Sequence, residues 1–232
     1  MPCAVLMGAN IAKDIARSDF AEATVGYDEG DEHAAEIVRN LFNSEVFAIE
    51  TIPNRRAVAL AGTMKNIIAL AAGFAQGLNM GPNGEAAIMR VGMKEERRLI
   101  EALSGADPRL MSQIVESSCG FPDLQATCVA GRNAKCAKAF ALERVGGSDL
   151  AGDKLWTKLE DSMLRGQKLQ GTGACKEINT VIRGLGKAHQ FPLMLGIHKL
   201  AFEDTEPTDE KSFKAALQRI IVEAGLLSEE ID

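Results

Sequence analysis

The pattern of apolar and polar positions divides the chain in two. Up to residue 53, short β-prone runs alternate with helical spacing. Cys3–Met7 has strand length and is broken by Gly8-Ala9-Asn10, after which Ile11–Ala16 reads as a short helix. Ala23–Tyr27 alternates like a strand, Glu32–Phe42 carries Ala35, Ile37, Val38 and Leu41 at helical spacing, and Val46–Ile52 is β-prone again. This rhythm predicts part of an open parallel sheet. Beyond Pro53 the strands stop. Helices are predicted over Ala57–Leu78, Gly84–Ser104, Pro108–Ser117, Asn133–Glu143, Ala151–Leu164, Thr172–Leu185, Pro192–Phe202 and Glu210–Ala224, separated by glycine and proline breaks. The expected fold class is an α/β segment, residues 1–53, followed by an all-α domain, residues 54–232. A sheet of so few strands is a poor independent fold, and Met1-Pro2-Cys3 leads straight into a strand. The chain is therefore expected to begin inside a domain.

Ala57–Leu78 is apolar enough to resemble a membrane span, but Lys65 and Asn66 sit near its middle and Gly62, Gly73 and Gly77 interrupt it. A lysine at bilayer centre costs roughly 3 kcal/mol on insertion scales. A buried core helix is the expected reading, with no membrane partner.

Composition narrows the remaining possibilities. The 232 residues are 46% hydrophobic and 25% charged, with a net charge of -6. A sizeable core is expected, and no nucleic-acid face, which would need a basic excess. The five cysteines form no C-x-x-C and the three histidines lie near none of them. Free thiols and no metal site are expected. No signal peptide is expected before the first strand, and the C-terminal Glu-Glu-Ile-Asp is not expected to act as an organelle address.

Several positions bear chemistry. Lys65 lies inside a near-apolar helix. Loss of hydration favours its neutral amine and suits acid–base or nucleophilic work. The alternative reading is a lysine that snorkels to the surface or pairs with an acid. Gly131-Arg132-Asn133 precedes an apolar-periodic segment. Asn133 is expected to cap that helix, and Arg132 beside the free N–H groups makes an anion site or a solvated arginine. Gly166-Gln167-Lys168-Leu169-Gln170-Gly171 is a polar loop bracketed by glycines, either a cover for a charged ligand or an ordinary connection. Asp123 follows Pro122 as an ordinary helix cap, and Asp149–Glu160 reads as a solvated face. No G-x-G-x-x-G occurs, and Gly171-Thr172-Gly173 and Gly184-Leu185-Gly186 follow no strand.

In order and spacing, these segments resemble the NAD-dependent glycerol-3-phosphate dehydrogenases. The resemblance rests on Val5–Ala12, Met64–Ala69 with Gly73-Phe74 and Gly77-Leu78, Asn83, Ala86-Ala87 and Arg90. It continues through Cys119-Gly120, Asp123-Leu124, Thr127-Cys128, Gly131-Arg132-Asn133 and Gly166–Gly171. It implies that residues 1–53 are the end of a Rossmann-type domain whose first half is missing, and that residues 54–232 are the helical substrate-binding domain. The implied reaction interconverts dihydroxyacetone phosphate and sn-glycerol 3-phosphate by hydride transfer with NAD(H), in a cytoplasmic homodimer. By resemblance Lys65 is the catalytic lysine. Asn66, Asp123 and Thr127 line the reacting end, while Arg132 and Asn133 hold the substrate phosphate. Asn10, Ala12, Arg132, Lys168 and Gln170 belong to the cofactor. Gly84-Glu85 and Phe121-Pro122 depart from the family pattern, and a further catalytic-site lysine has no counterpart here. Two alternatives stand beside this one: a two-domain dehydrogenase for a hydroxyacyl thioester or sugar acid, and a non-catalytic product or helical self-association module.

Overall fold

The computed structural model describes residues 2–203 and 207–226. The C-terminal Glu-Glu-Ile-Asp lies outside the described residues. Three strands, β1 (Ala4–Met7), β2 (Ala21–Tyr27) and β3 (Phe47–Ile52), alternate with α1 (Ala12–Ile15) and α2 (Glu32–Phe42). Helices follow: α3 (Arg55–Gly77), α4 (Gly81–Ser104), α5 (Pro108–Glu116), α6 (Phe121–Ala130), α7 (Arg132–Val145), α8 (Gly152–Leu164), α9 (Gln170–Gly184), α10 (Pro192–Phe202) and α11 (Glu210–Leu226). The change from strand to helix falls where the sequence places it. Helix α6 was not anticipated. It is short and apolar on several sides, so it lacks the one-sided stripe by which a surface helix is recognised.

The sheet is mixed rather than parallel. Strand β2 pairs with β3 in parallel, but β1 runs antiparallel to β2, from Ala4 opposite Tyr27 to Met7 opposite Thr24. Helix length accounts for the difference. The eleven residues of α2 rise roughly 16 Å and return the chain to the start of the next strand. The four residues of α1 rise roughly 6 Å, too little to do so.

The chain forms two compact units. One comprises the residues up to Lys65 together with Glu96–Thr127; the other comprises Asn66–Glu95 and the residues from Cys128 on. The units do not follow the strand-to-helix change, because α3, α4 and α6 each continue from one unit into the other. In the first unit Ala23, Val25, Ala35 and Ile49 form a buried cluster flanked by Leu6, Val38 and Phe47. In the second, Phe74 meets Phe140, Trp156 and Phe213 at centroid distances of 5.6, 6.3 and 5.6 Å, and the Trp156 indole donates to the Ala201 carbonyl at 3.0 Å. Buried Glu95 accepts from the Leu193 and Met194 amides at 2.7 and 2.9 Å, satisfying the N-terminus of α10.

Two glycines set how closely α3 and α7 pack. A Cβ at Gly73 would stand 2.3 Å from the Ala134 carbonyl oxygen and 2.6 Å from the Ala137 Cβ; one at Gly77 would stand 2.8 Å from the Ala141 Cβ. Their value lies in what they omit. Gly73→Ala is expected to lower unfolding stability by about 1–3 kcal/mol, since the added methyl meets backbone in a filled core. Gly184, near the end of α9, has nothing within 4 Å of such a Cβ, so Gly184→Ala should be neutral or stabilising by up to about 1 kcal/mol. Urea melts of the two variants would separate them; equal effects would remove the packing argument.

Candidate active site

The site is built from the residues that an apolar helix forces to find partners. Lys65, on the first-unit part of α3, forms an ion pair with Asp123 in the first turn of α6. The Thr127 hydroxyl, one turn further along α6, donates to the other Asp123 carboxylate oxygen at 3.3 Å. Asp123 is almost wholly buried, and Lys65 retains 17% of its side-chain exposure. Asp123 is thus a partner for Lys65 rather than the ordinary helix cap its sequence suggests. Burial pushes its carboxyl above the usual carboxylate range, opposed by Lys65, Thr127 and the Gly8 backbone N–H.

Glu96, on α4, is also buried beside this pair. Burial first, then repulsion from Asp123, pushes it up to about 8, with Lys65 pulling it back. The Lys65 ammonium is paired with Asp123, and Glu96 beside them holds a proton at neutral pH. Sequence reasoning missed this residue because it lies in the charged run Lys94–Arg98. The available signal was its placement between apolar Met93 and buried Leu99-Ile100.

A polar network fixes the start of α6 against the sheet. The Ser118 amide and the Thr24 hydroxyl both donate to Glu50 Oε1 at 2.8 Å, and the Cys119 amide donates to Thr24 Oγ1 at 3.1 Å. Ser118 Oγ donates to the Glu22 carbonyl at 2.8 Å and accepts from the Ala9 amide at 3.1 Å. Gly8 makes this approach possible: its φ is +153°, and a Cβ there would lie 2.5 Å from Ser118 Oγ. Asn10 follows in the same turn. Its side-chain Nδ2 is the one buried side-chain polar atom without a hydrogen-bond partner among the described residues. Ala12 opens α1 and is exposed.

In the second unit, buried Asn66 accepts at Oδ1 from the Asn133 amide at 2.8 Å, and Asn133 Oδ1 accepts from the Gly171 amide at 3.0 Å. Asn133 is therefore not the cap of α7. Gly131 takes that position without a side-chain bond, and Asn133 turns inward to hold α3 and the glycine loop. Arg132, exposed in the first turn of α7, donates to Gln167 Oε1 at 3.0 Å. Lys168 donates to Glu160 Oε2 at 2.6 Å, while Gln170 opens α9 and is exposed. Glu160 contradicts the expected solvated face over Asp149–Glu160. It is buried with Leu155, Trp156 and Leu159 on the inner side of α8.

These features define an architecture: a short mixed sheet with its helices, followed by a long run of helices. The chain belongs to the NAD-dependent glycerol-3-phosphate dehydrogenase family, whose C-terminal region matches residues 54–211. It is 40% identical over 205 residues to the chloroplastic NAD(+) glycerol-3-phosphate dehydrogenase 1 of Arabidopsis thaliana, covering 88% of this chain and 48% of that protein. To the cytoplasmic enzyme of Drosophila melanogaster it is 36% identical over 209 residues, 90% of this chain and 54% of that one. The structure of DsGPDH from Dunaliella salina superposes with a TM-score of 0.82 at 34% identity, covering 97% of this chain and 36% of that one. The chain spans about half the length of the curated relatives it matches. Its fold is accordingly the α/β end of a Rossmann-type domain followed by an all-helical domain, and NAD is the cofactor of the family.

The raised Glu96 carboxyl has a measurable consequence. An unfolded chain releases that proton near the ordinary 4.5, whereas the folded protein holds it to about 8. Between these values the native state binds more protons, so stability falls as pH rises. Glu96→Gln removes this slope. Relative to the parent, the variant should gain on the order of a few kcal/mol between pH 5 and pH 8. Denaturant melts at both pH values test this; a stability difference that does not change with pH would refute it.

Proposed function

We propose that this chain carries the substrate-binding and acid–base machinery of an enzyme interconverting dihydroxyacetone phosphate and sn-glycerol 3-phosphate, with residues 1–53 ending the nucleotide-binding domain and residues 54–232 forming the helical one. The observation that carries the reading is the Lys65–Asp123 pair, braced by Thr127, inside the segment that matches the family.

Bound NAD(H) supplies or accepts the hydride at the reacting carbon. The chain's own residues handle charge and proton. As a ketone is reduced, negative charge grows on its oxygen; the Lys65 ammonium stabilises that charge and gives up a proton from Nζ. In the other direction the neutral amine takes the alcohol proton. Asp123 keeps Nζ in place in both directions, and Thr127 keeps Asp123 in place. Asn66 adds an amide next to Lys65 on α3. Arg132 uses one of its five donors on Gln167, which leaves a planar set for a phosphate at the free N-terminus of α7, with Asn133 beside it. Holding the phosphate away from the reacting carbon provides binding energy that positions the ketone.

The residues present also suit the dinucleotide. The unmet Asn10 amide donor, after β1, fits an acceptor on a ligand, and Lys168 brings a cation to a glycine-bracketed loop that suits a pyrophosphate. A homodimer is part of the proposal. Placement in the cytoplasm follows the name of the Drosophila relative, and the Arabidopsis name indicates a plastid instead.

Calorimetric titration of the chain with sn-glycerol 3-phosphate and with glycerol tests the phosphate site. Arg132→Lys is expected to weaken binding of the phosphorylated ligand about tenfold or more, because an ammonium cannot reproduce a bidentate contact. Equal losses for both ligands would rule out Arg132 as the anchor. For the chain joined to the nucleotide-binding half of a family member, Lys65→Ala should lower kcat by about 10²–10⁴-fold with little change in KM. A kcat loss below about tenfold would remove Lys65 from the acid–base role.

A further inference from the structure

The loop Gly166–Gly171 is tied at three points, and one of them has no role in the reaction proposed above. Gln167 accepts from Arg132, and the Gly171 amide donates to Asn133, so both ends of the loop rest on residues assigned to the substrate phosphate. Its centre rests on Glu160. One oxygen of that carboxylate accepts from Lys168 Nζ at 2.6 Å, and the other accepts from the Leu169 amide at 3.0 Å. The Gly166 amide also returns to the Glu160 carbonyl at 3.1 Å, after a turn in which Arg165 and Gly166 take φ values of 55° and 78°. The contrast in exposure is large: the Glu160 side chain is 5% exposed and that of Lys168 is 74% exposed.

A carboxylate buried to this degree is costly unless it is paired and hydrogen-bonded. Glu160 meets both needs through consecutive loop residues, so the loop must stay where those partners reach it. The constraint runs from the buried acid outward to the exposed lysine. The neighbouring carboxylates Asp153 and Glu143 are occupied by Lys176 and Lys158.

We propose that Glu160 is the positioning residue of this loop: a buried carboxylate that sets where the Lys168 ammonium and the backbone from Leu169 to Gly171 stand, and through them braces Arg132 and Asn133 for a phosphate-bearing ligand. The ligand part rests on the function proposed above; the hold on the loop does not. Glu160 itself touches no ligand. Its carboxylate gives Lys168 a fixed direction, which a free lysine on a glycine-flanked loop lacks.

Trypsin and NADH test the two parts separately on the whole chain. Trypsin can cut after Arg165 and Lys168, at the loop itself. Glu160→Gln keeps an oxygen for the Leu169 amide and loses the charge that holds Lys168. Cleavage at these two bonds should rise about tenfold, the scale of one charge-assisted hydrogen bond, with Glu160→Asp restoring most of the protection. NADH affinity, followed by its fluorescence, should fall about tenfold in Glu160→Gln, and this loss should vanish in a Lys168→Met background if Glu160 acts through that lysine. If Glu160→Gln does not fold, Lys168→Met, altered at an exposed position, should by itself raise cleavage after Arg165. Unchanged cleavage in the folded variants would overturn the proposal, as would NADH binding that stays equal or tightens when Glu160 loses its charge. A parent chain that binds no NADH would instead count against the cofactor reading, and the cleavage ratio would still decide whether Glu160 holds the loop.

Discussion

A helix that is apolar on nearly every side cannot leave a polar side chain without a partner. Helix α3 carries two in succession, Lys65 and Asn66, and each finds its partner within its own unit. Lys65 takes Asp123. Asn66 takes Asn133, which in turn takes the Gly171 amide. Consecutive residues on a helix point about 100° apart, so the two partnerships recruit different elements, α6 for one and α7 with the glycine loop for the other. The glycines at 73 and 77 belong to the same solution. They let α7 approach closely enough for Asn133 to reach Asn66.

Buried acids then divide the electrostatic work among themselves by what each can reach. Glu95 meets backbone N–H groups at the start of α10, a place where a negative charge is favoured by the helix dipole. Asp123 meets an ammonium and a hydroxyl. Glu160 meets an ammonium and an amide. Glu96 stands beside a lysine already paired with Asp123, and its carboxyl is pushed up to about 8. Four carboxyls of comparable burial thus meet different partners, and it is Glu96 whose surroundings keep it protonated at neutral pH.

The same distinction marks what the sequence could reveal. Lys65-Asn66 stood out because two polar residues interrupt a long apolar run, and the strand-to-helix change at Pro53 was visible for a similar reason. Asn133 reads as a helix cap, because an asparagine before a helical pattern looks like one until Gly131 is seen to hold that place. Glu96 and Glu160 are faint in the sequence for a different reason. Each sits among charged neighbours, and alternation of charges on a helix looks like a wetted surface. Only the helical phase of Glu160 relative to Trp156, four residues before it, hints that it faces inward. The direction of β1 was equally hidden, since it depends on the length of α1 rather than on any strand residue.

The arrangement around Lys65 suits the proposed reaction, which runs in both directions. A lone ammonium in an apolar wall would be costly to keep charged, and a lone amine would be a poor donor of protons. Pairing Lys65 with Asp123 supports the ammonium, while the burial that raises the Asp123 carboxyl limits how firmly the pair is locked. Glu96, holding its proton, adds no second full charge to compete for Nζ. Were Glu96 ionised, two carboxylates would stand beside one ammonium. Burial of Glu96 therefore leaves the Lys65–Asp123 pair without a second full charge beside it, which suits the acid–base role proposed for Lys65.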